Sequence, residues 1–98
     1  MKTVNYPFDF ARLVDICKEH DVNYVGLFGS MARGKITGKS DIDLLVRFSA
    51  RKSLLALVHL ERELTLAMGR KVDVLTEASI SPYLKDSIQH DLKVLYET

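Results

Sequence analysis

Three carboxylates occupy positions that chains rarely give them. Asp41 and Asp43 flank Ile42 in Ser40-Asp41-Ile42-Asp43-Leu44, and Asp73 interrupts Val72-Asp73-Val74-Leu75. Both segments read as strands, so Asp41 and Asp43, two residues apart, point to the same face. Aspartate is depleted in strands because its side chain competes with the ladder and is costly to bury. If the two strands are neighbours, the three acids converge. Like charges a few ångströms apart repel by several kcal/mol at intermediate dielectric. A divalent cation would relieve that repulsion, and oxygen-only donors with open positions suit Mg²⁺ or Mn²⁺, with substrate phosphates completing the shell. The plainer alternative makes Asp41 a strand cap, pairs Asp43 with a lysine and bonds Asp73 to a loop backbone.

Upstream lies Gly29-Ser30-Met31-Ala32-Arg33-Gly34-Lys35. Small residues after a strand let backbone N–H groups approach an anion, and a following helical turn adds its positive end. Ser30 offers a hydroxyl to a phosphate oxygen, and Arg33 a charge-assisted contact to phosphate or to one of the three aspartates. The plainer reading is a tight strand-to-helix turn with a salt-bridging Arg33. Gly29-x₄-Gly34-Lys35 also matches a P-loop up to its last position, where Ile36 replaces the metal-binding Ser or Thr. The Thr37-Gly38 that follows does not suit the long helix a P-loop requires.

These residues need elements to place them. Phe10, Leu13, Val14 and Cys17 repeat at helical spacing, giving a helix over about 8–20 behind Pro7. Residues 23–28 read as a strand, 31–33 as one helical turn and 34–40 as a loop. Residues 41–48 form a second strand, whose Leu44-Leu45-Val46 centre suits cover on both faces. Ser53 to Met68 is a helix with Leu54, Leu57, Val58, Leu64 and Met68 on one face, widened by Leu60 and Ala67. Ser53 is its N-cap and Gly69 its C′ residue. A third strand covers 71–76 and a closing helix 82–90. Leu92–Tyr96 is either a short strand or a last turn. The strand–helix–strand passage from Asp41 to Thr76 is a crossover unit, and the short connection before it favours an antiparallel first pair. The expected fold is α/β (α+β): a small mixed β-sheet with helices mainly on one face, in one domain spanning 1–98.

Composition narrows the function classes. The 98 residues are 47% hydrophobic and 28% charged, the balance of an ordinary folded domain. Fourteen Lys and Arg against 13 Asp and Glu leave a net charge of +1, so bulk charge gives no direct nucleic-acid binding. No run is long and apolar enough for a membrane helix, and no signal core follows Lys2. The single cysteine, Cys17, allows no internal disulfide and no cysteine zinc cluster, and reads as a small buried hydrophobe. A cytoplasmic setting fits best. His20, His59 and His90 lack metal-ligand spacing; His20 sits near a helix C-terminus, and the other two read as surface residues. Arg47, Arg51 and Lys52 read as a solvated loop cluster. Leu54, Leu55, Leu57, Val58 and Leu60 exceed one stripe, implying either a partner surface or a thick core.

The combination of Gly29-Ser30-Met31-Ala32-Arg33-Gly34, Ser40-Asp41-Ile42-Asp43-Leu44 and Val72-Asp73-Val74 resembles the minimal nucleotidyltransferases, the smallest members of the DNA polymerase β-like superfamily. The resemblance spans about 22–96 and implies the nucleotidyltransferase fold. It implies Asp41 and Asp43 as ligands of two Mg²⁺ ions, and Asp73 as a third acid that contacts a metal and serves the attacking hydroxyl. Gly29 and Ser30 would grip the triphosphate of ATP, and Arg33 would steady the site. Two-metal chemistry of this kind stabilises both the attacking and the leaving oxygen of an in-line displacement. Larger relatives carry an acceptor-binding domain for which this chain has no room. Relatives of this size are often antitoxins encoded beside a HEPN toxin, transferring AMP to a tyrosine of that partner. Two alternatives stand beside it: a non-catalytic antitoxin that neutralises its partner by contact, and transfer to a small molecule such as an aminoglycoside.

Overall fold

Local signals decide where the elements begin and end. The computed structural model describes residues 6–34 and 40–98. Helix α1 (Phe10–Glu19) starts where the Asp9 carboxylate accepts the Arg12 amide at 3.1 Å, satisfying one of the donors a helix start leaves unpaired. Asp21 then turns the chain at a φ of 63° into β1 (Val22–Phe28). A single helical turn, α2 (Gly29–Ala32), follows, and then β2 (Ile42–Phe48). Of the loop expected between them, residues 35–39 lie outside the described residues, and with them the Lys35 and Ile36 of the P-loop comparison. Helix α3 (Leu54–Met68) is capped by the Ser53 hydroxyl, which accepts the Ala56 amide at 3.2 Å, and ends at Gly69 with a φ of 71°. Both are the capping residues expected from sequence. Strand β3 (Val72–Thr76), a 3-10 turn (Glu77–Ser79), helix α4 (Pro82–Asp91) and strand β4 (Lys93–Glu97) complete the order. The undecided 92–96 segment is therefore a strand.

The sheet runs β3-β2-β1-β4. β1 pairs antiparallel with β2 and with β4, and β2 pairs parallel with β3 across α3, so the sheet is mixed as expected. Val25, Leu27, Ile42, Leu44, Val46, Val72 and Val74 form its core face, with Leu13, Ile16 and Cys17 of α1 and Leu60 and Leu64 of α3 in the same core cluster. Alternation along each strand sends Tyr24, Gly26, Asp43, Leu45, Arg47 and Asp73 to the opposite face. Helix α4 covers part of that second face. A cavity there is lined by Tyr24, Leu45 and Arg47 from the sheet and by Lys85 and Gln89 from α4. Leu92 packs so close to β1 that a Cβ on Gly26 would stand 2.5 Å from its Cδ1. Leu45 is accordingly buried, and the centre of β2 is covered on both sides as its sequence predicts.

The apolar stripe of α3 differs from the expected one. Leu60 and Leu64 are buried, and Leu57 and Met68 pack against the core. Leu54, at 77% exposure, and Val58, at 49%, face away from it, as do Leu55 and Leu66. Periodicity places Leu54 and Val58 on the same face as Leu57, Leu64 and Met68, and packing against a sheet this small buries only the part centred on Leu60 and Leu64. The thick-core reading of the extra leucines is thereby overturned.

Candidate active site

Strand register brings two of the three acids together. In the parallel β2–β3 pair, Asp43 stands directly opposite Asp73, with Ile42 opposite Val72 and Leu44 opposite Val74. Neighbouring strands lie about 4.8 Å apart, so the two carboxyls share one patch of the sheet. Asp41 immediately precedes β2 and adds its charge to the same patch. All three are partly exposed.

The electrostatics follow from that placement. The Asp43 carboxyl is raised from 3.8 to about 6. Burial is the largest cause, followed by the charges of Asp73 and Asp41 and a hydrogen bond with the Asp73 carboxyl that favours the protonated form. Lys71 opposes the shift; its ammonium stands 3.9 Å from Asp73 and is largely exposed, so it offsets little of the repulsion. Among the described residues, no three His, Cys, Asp or Glu side chains form a group arranged to hold a metal ion. The donor set is nevertheless oxygen only, which suits a hard divalent cation.

The chain after β1 is built around Asp43. Phe28 pairs with Asp43 across β1–β2, so the next residue, Gly29, abuts its side chain. A Cβ built on Gly29 would run into the Asp43 carboxylate, and the residue's φ of 79° is the left-handed region that disfavours side chains. Glycine is thus required twice at this position. Ser30 follows, partly exposed in the single turn of α2.

Arg33 forms a salt bridge, as the plainer reading has it, and its partner is none of the three acids. Its guanidinium donates to Asp91 Oδ2 at 2.7 Å, at the far end of α4. Asp91 is the less exposed partner, 12% against 46%. Arg33 therefore ties the turn beside the acids to the helix that covers the second face. Sequence reasoning missed Asp91, because its spacing from Arg33 carries no local signal.

The start of β2 is held by a second arginine. Arg70 Nη1 donates to the Ser40 carbonyl at 3.2 Å, and the Ile42 amide donates to the Lys71 carbonyl at 2.9 Å. Asp41 lies between these two anchors. The histidines stay out of the site: His59 and His90 are exposed, and His20 caps α1 and bonds Glu63 of α3 at 2.5 Å.

Residues 11–98 match the model of the polymerase beta nucleotidyltransferase family. This chain belongs to that family. It is accordingly a nucleotidyltransferase, and its fold is the nucleotidyltransferase fold expected from the motifs. It is 46% identical over 80 residues to a Methanocaldococcus jannaschii protein named as a protein adenylyltransferase, covering 82% of this chain and 86% of that one. Among solved structures, a toxin–antitoxin with AMP-PNP superposes with a TM-score of 0.80, at 24% identity, over 92% of this chain and 74% of that one. A tri-AMPylated HEPN toxin in complex with its MNT antitoxin, from Shewanella oneidensis, gives a TM-score of 0.71 at 22% identity, covering 91% of this chain and 70% of that one. At those identities the two likenesses speak to the fold. Among the described residues, no helix is long and apolar enough to cross a membrane.

Proposed function

We propose that this chain is the antitoxin of a toxin–antitoxin pair, acting in the cytoplasm as a protein adenylyltransferase that moves AMP from ATP to a tyrosine hydroxyl of a HEPN-type toxin. The observation that carries the reading is the register pairing of Asp43 with Asp73 beside a glycine that only a bare Cα could fill. A site that needed those strands only for stability would have no use for two facing acids, since removing one would relieve repulsion. Names carried by relatives and structural neighbours, an adenylyltransferase and an AMPylated HEPN toxin with its antitoxin, support the choice of nucleotide and acceptor.

In this reading each residue of the site has a role. Asp41, Asp43 and Asp73 would hold divalent cations, Mg²⁺ or Mn²⁺, by their oxygen donors. When bound, two such cations neutralise the acids and the triphosphate and stabilise charge on the attacking and leaving oxygens. The Gly29 backbone and the Ser30 hydroxyl grip the triphosphate next to Asp43. Asp73 faces the acceptor and takes the proton of its hydroxyl. The acceptor oxygen then forms a bond to the α-phosphorus, the bond from that phosphorus to the bridging oxygen breaks, and pyrophosphate leaves with the electron pair. Arg33 steadies the site from outside it, through Asp91.

The test mixes the purified chain with α-labelled ATP, Mg²⁺ and the product of the neighbouring gene, with Asp41→Ala/Asp43→Ala as control. Label on the partner that disappears in the control is the expected result. Partner binding without label, unchanged in the control, would instead make the chain an antitoxin by contact alone. In a parallel reaction with an aminoglycoside added, label on the aminoglycoside and none on protein would move the acceptor to a small molecule.

A further inference from the structure

Strand β3 is an edge strand, yet its outer rim is not bare. The Val72 amide donates to Thr65 Oγ1 at 3.1 Å, and the Val74 amide donates to Glu61 Oε2 at 2.9 Å. The Thr65 hydroxyl also reaches the Val72 carbonyl at 3.5 Å. Glu61 and Thr65 are four apart on α3, so they stand one above the other on one side of the helix. Together they supply the partners that a missing fifth strand would have supplied. The two amides they take belong to the residues immediately before and after Asp73. On its other side, Asp73 pairs with Asp43 of β2.

We infer that Glu61 and Thr65 are positioning residues for transfer: they clamp the backbone on both sides of Asp73 and hold its carboxyl at the height of Asp43. This rests on the proposed reading, in which Asp73 serves the acceptor hydroxyl. Covering an edge to prevent strand addition would be served by any acidic or bulky residue along it. What is seen is two hydrogen bonds, at alternate amides, bracketing the one acid of the strand. Asp73 stands against like charge and would drift from Asp43 if its strand could slide. Glu61 is tied up as an acceptor on the rim and Thr65 as both donor and acceptor, so neither is placed to touch substrate. Their effect passes through the backbone.

The experiment compares Glu61→Ala, Glu61→Gln, Thr65→Val and Glu63→Gln, measuring kcat, nucleotide Kd and amide hydrogen exchange. Glu63→Gln disturbs the same helix through His20 without touching β3. Glu61→Ala and Thr65→Val should lower kcat about 10- to 100-fold, the scale of a small misplacement at a reacting centre, with nucleotide Kd changed less than about twofold. Exchange at Val74 should quicken in the first variant and at Val72 in the second. Glu61→Gln keeps an acceptor oxygen and should restore most of kcat, and Glu63→Gln should match wild type. In an Asp73→Asn background, Glu61→Ala should add no further loss. Faster exchange with kcat unchanged overturns the inference, as does parallel loss of kcat and nucleotide binding, or failure of glutamine to rescue. A silent wild type, by contrast, overturns the transferase reading itself.

Discussion

Asp43 bears the conflict between fold and chemistry. Its carboxyl is pushed up by burial and by Asp73 and Asp41, so the folded chain holds its proton more tightly than the unfolded chain does. Between its ordinary 3.8 and about 6, the native state therefore binds more protons, and unfolding free energy falls as pH rises through that window. Asp43→Asn should abolish this slope. In metal-free buffer the variant should gain on wild type as pH rises through the window and keep its advantage above it, read from urea midpoints. A variant less stable than wild type at neutral pH would make Asp43 a structural residue. Gly29→Ala carries the opposite sign. A side chain in the left-handed region costs about 1–2 kcal/mol before any clash, and here it also meets the Asp43 carboxylate. Thermal melts should show that loss, and nucleotide binding should vanish with it. The acids and Gly29 were legible in sequence because alternation and composition mark them. Their facing register was not, since nothing local says which strands are neighbours.

At the scale of elements, the site is held by helices that do not contribute its acids. Helix α3 closes the crossover and grips the rim of β3; α4 covers the second face and is tied to α2 by the Arg33–Asp91 pair. That pair is half exposed on the arginine side, so Asp91→Asn should lower stability by no more than about 1 kcal/mol. Its larger effect should be on the turn: faster exchange at the Arg33 and Gly34 amides, which close α2 on Gly29 and Met31. Unchanged exchange would leave the pair a surface ornament. The spans of α1 and α3, with their caps, were readable because a cap is a short-range pattern. The inward side of α3 was not. Leu54 and Val58 match the period as well as Leu57 does, and Glu61 and Thr65, polar in sequence, face inward because an edge strand offers them two amides.

For the whole molecule, one small core joins α1, α3 and one face of the sheet. Leu64 lies fully buried at its centre, and Leu64→Ala should cost about 2–5 kcal/mol. The chain contains its own probe for that measurement. Cys17 is fully buried in the same cluster and its thiol is pushed up to about 12 by burial, so it is inert while the fold is closed. Its rate of thiol labelling should track global opening and rise in Leu64→Ala by the factor the urea curves give. Labelling of wild type at the rate of a free thiol would contradict the burial. The mixed sheet was foreseeable from element order and connection length. The placing of α4 on the second face was not, because that face is specified by a glycine gap at Gly26 that Leu92 fills.

The parallel pairing of β2 with β3 also governs when the acids meet. Asp43 and Asp73 are separated in the chain by the whole of α3, so they face each other only once that crossover has closed. Loop closure of that kind is slow, because its entropy is lost before its contacts form. Here the closing step also drives like charges together. The chain thus acquires its electrostatic burden only when β3 docks on β2, while the sheet itself is complete only once β4, the last strand in the chain, has joined β1.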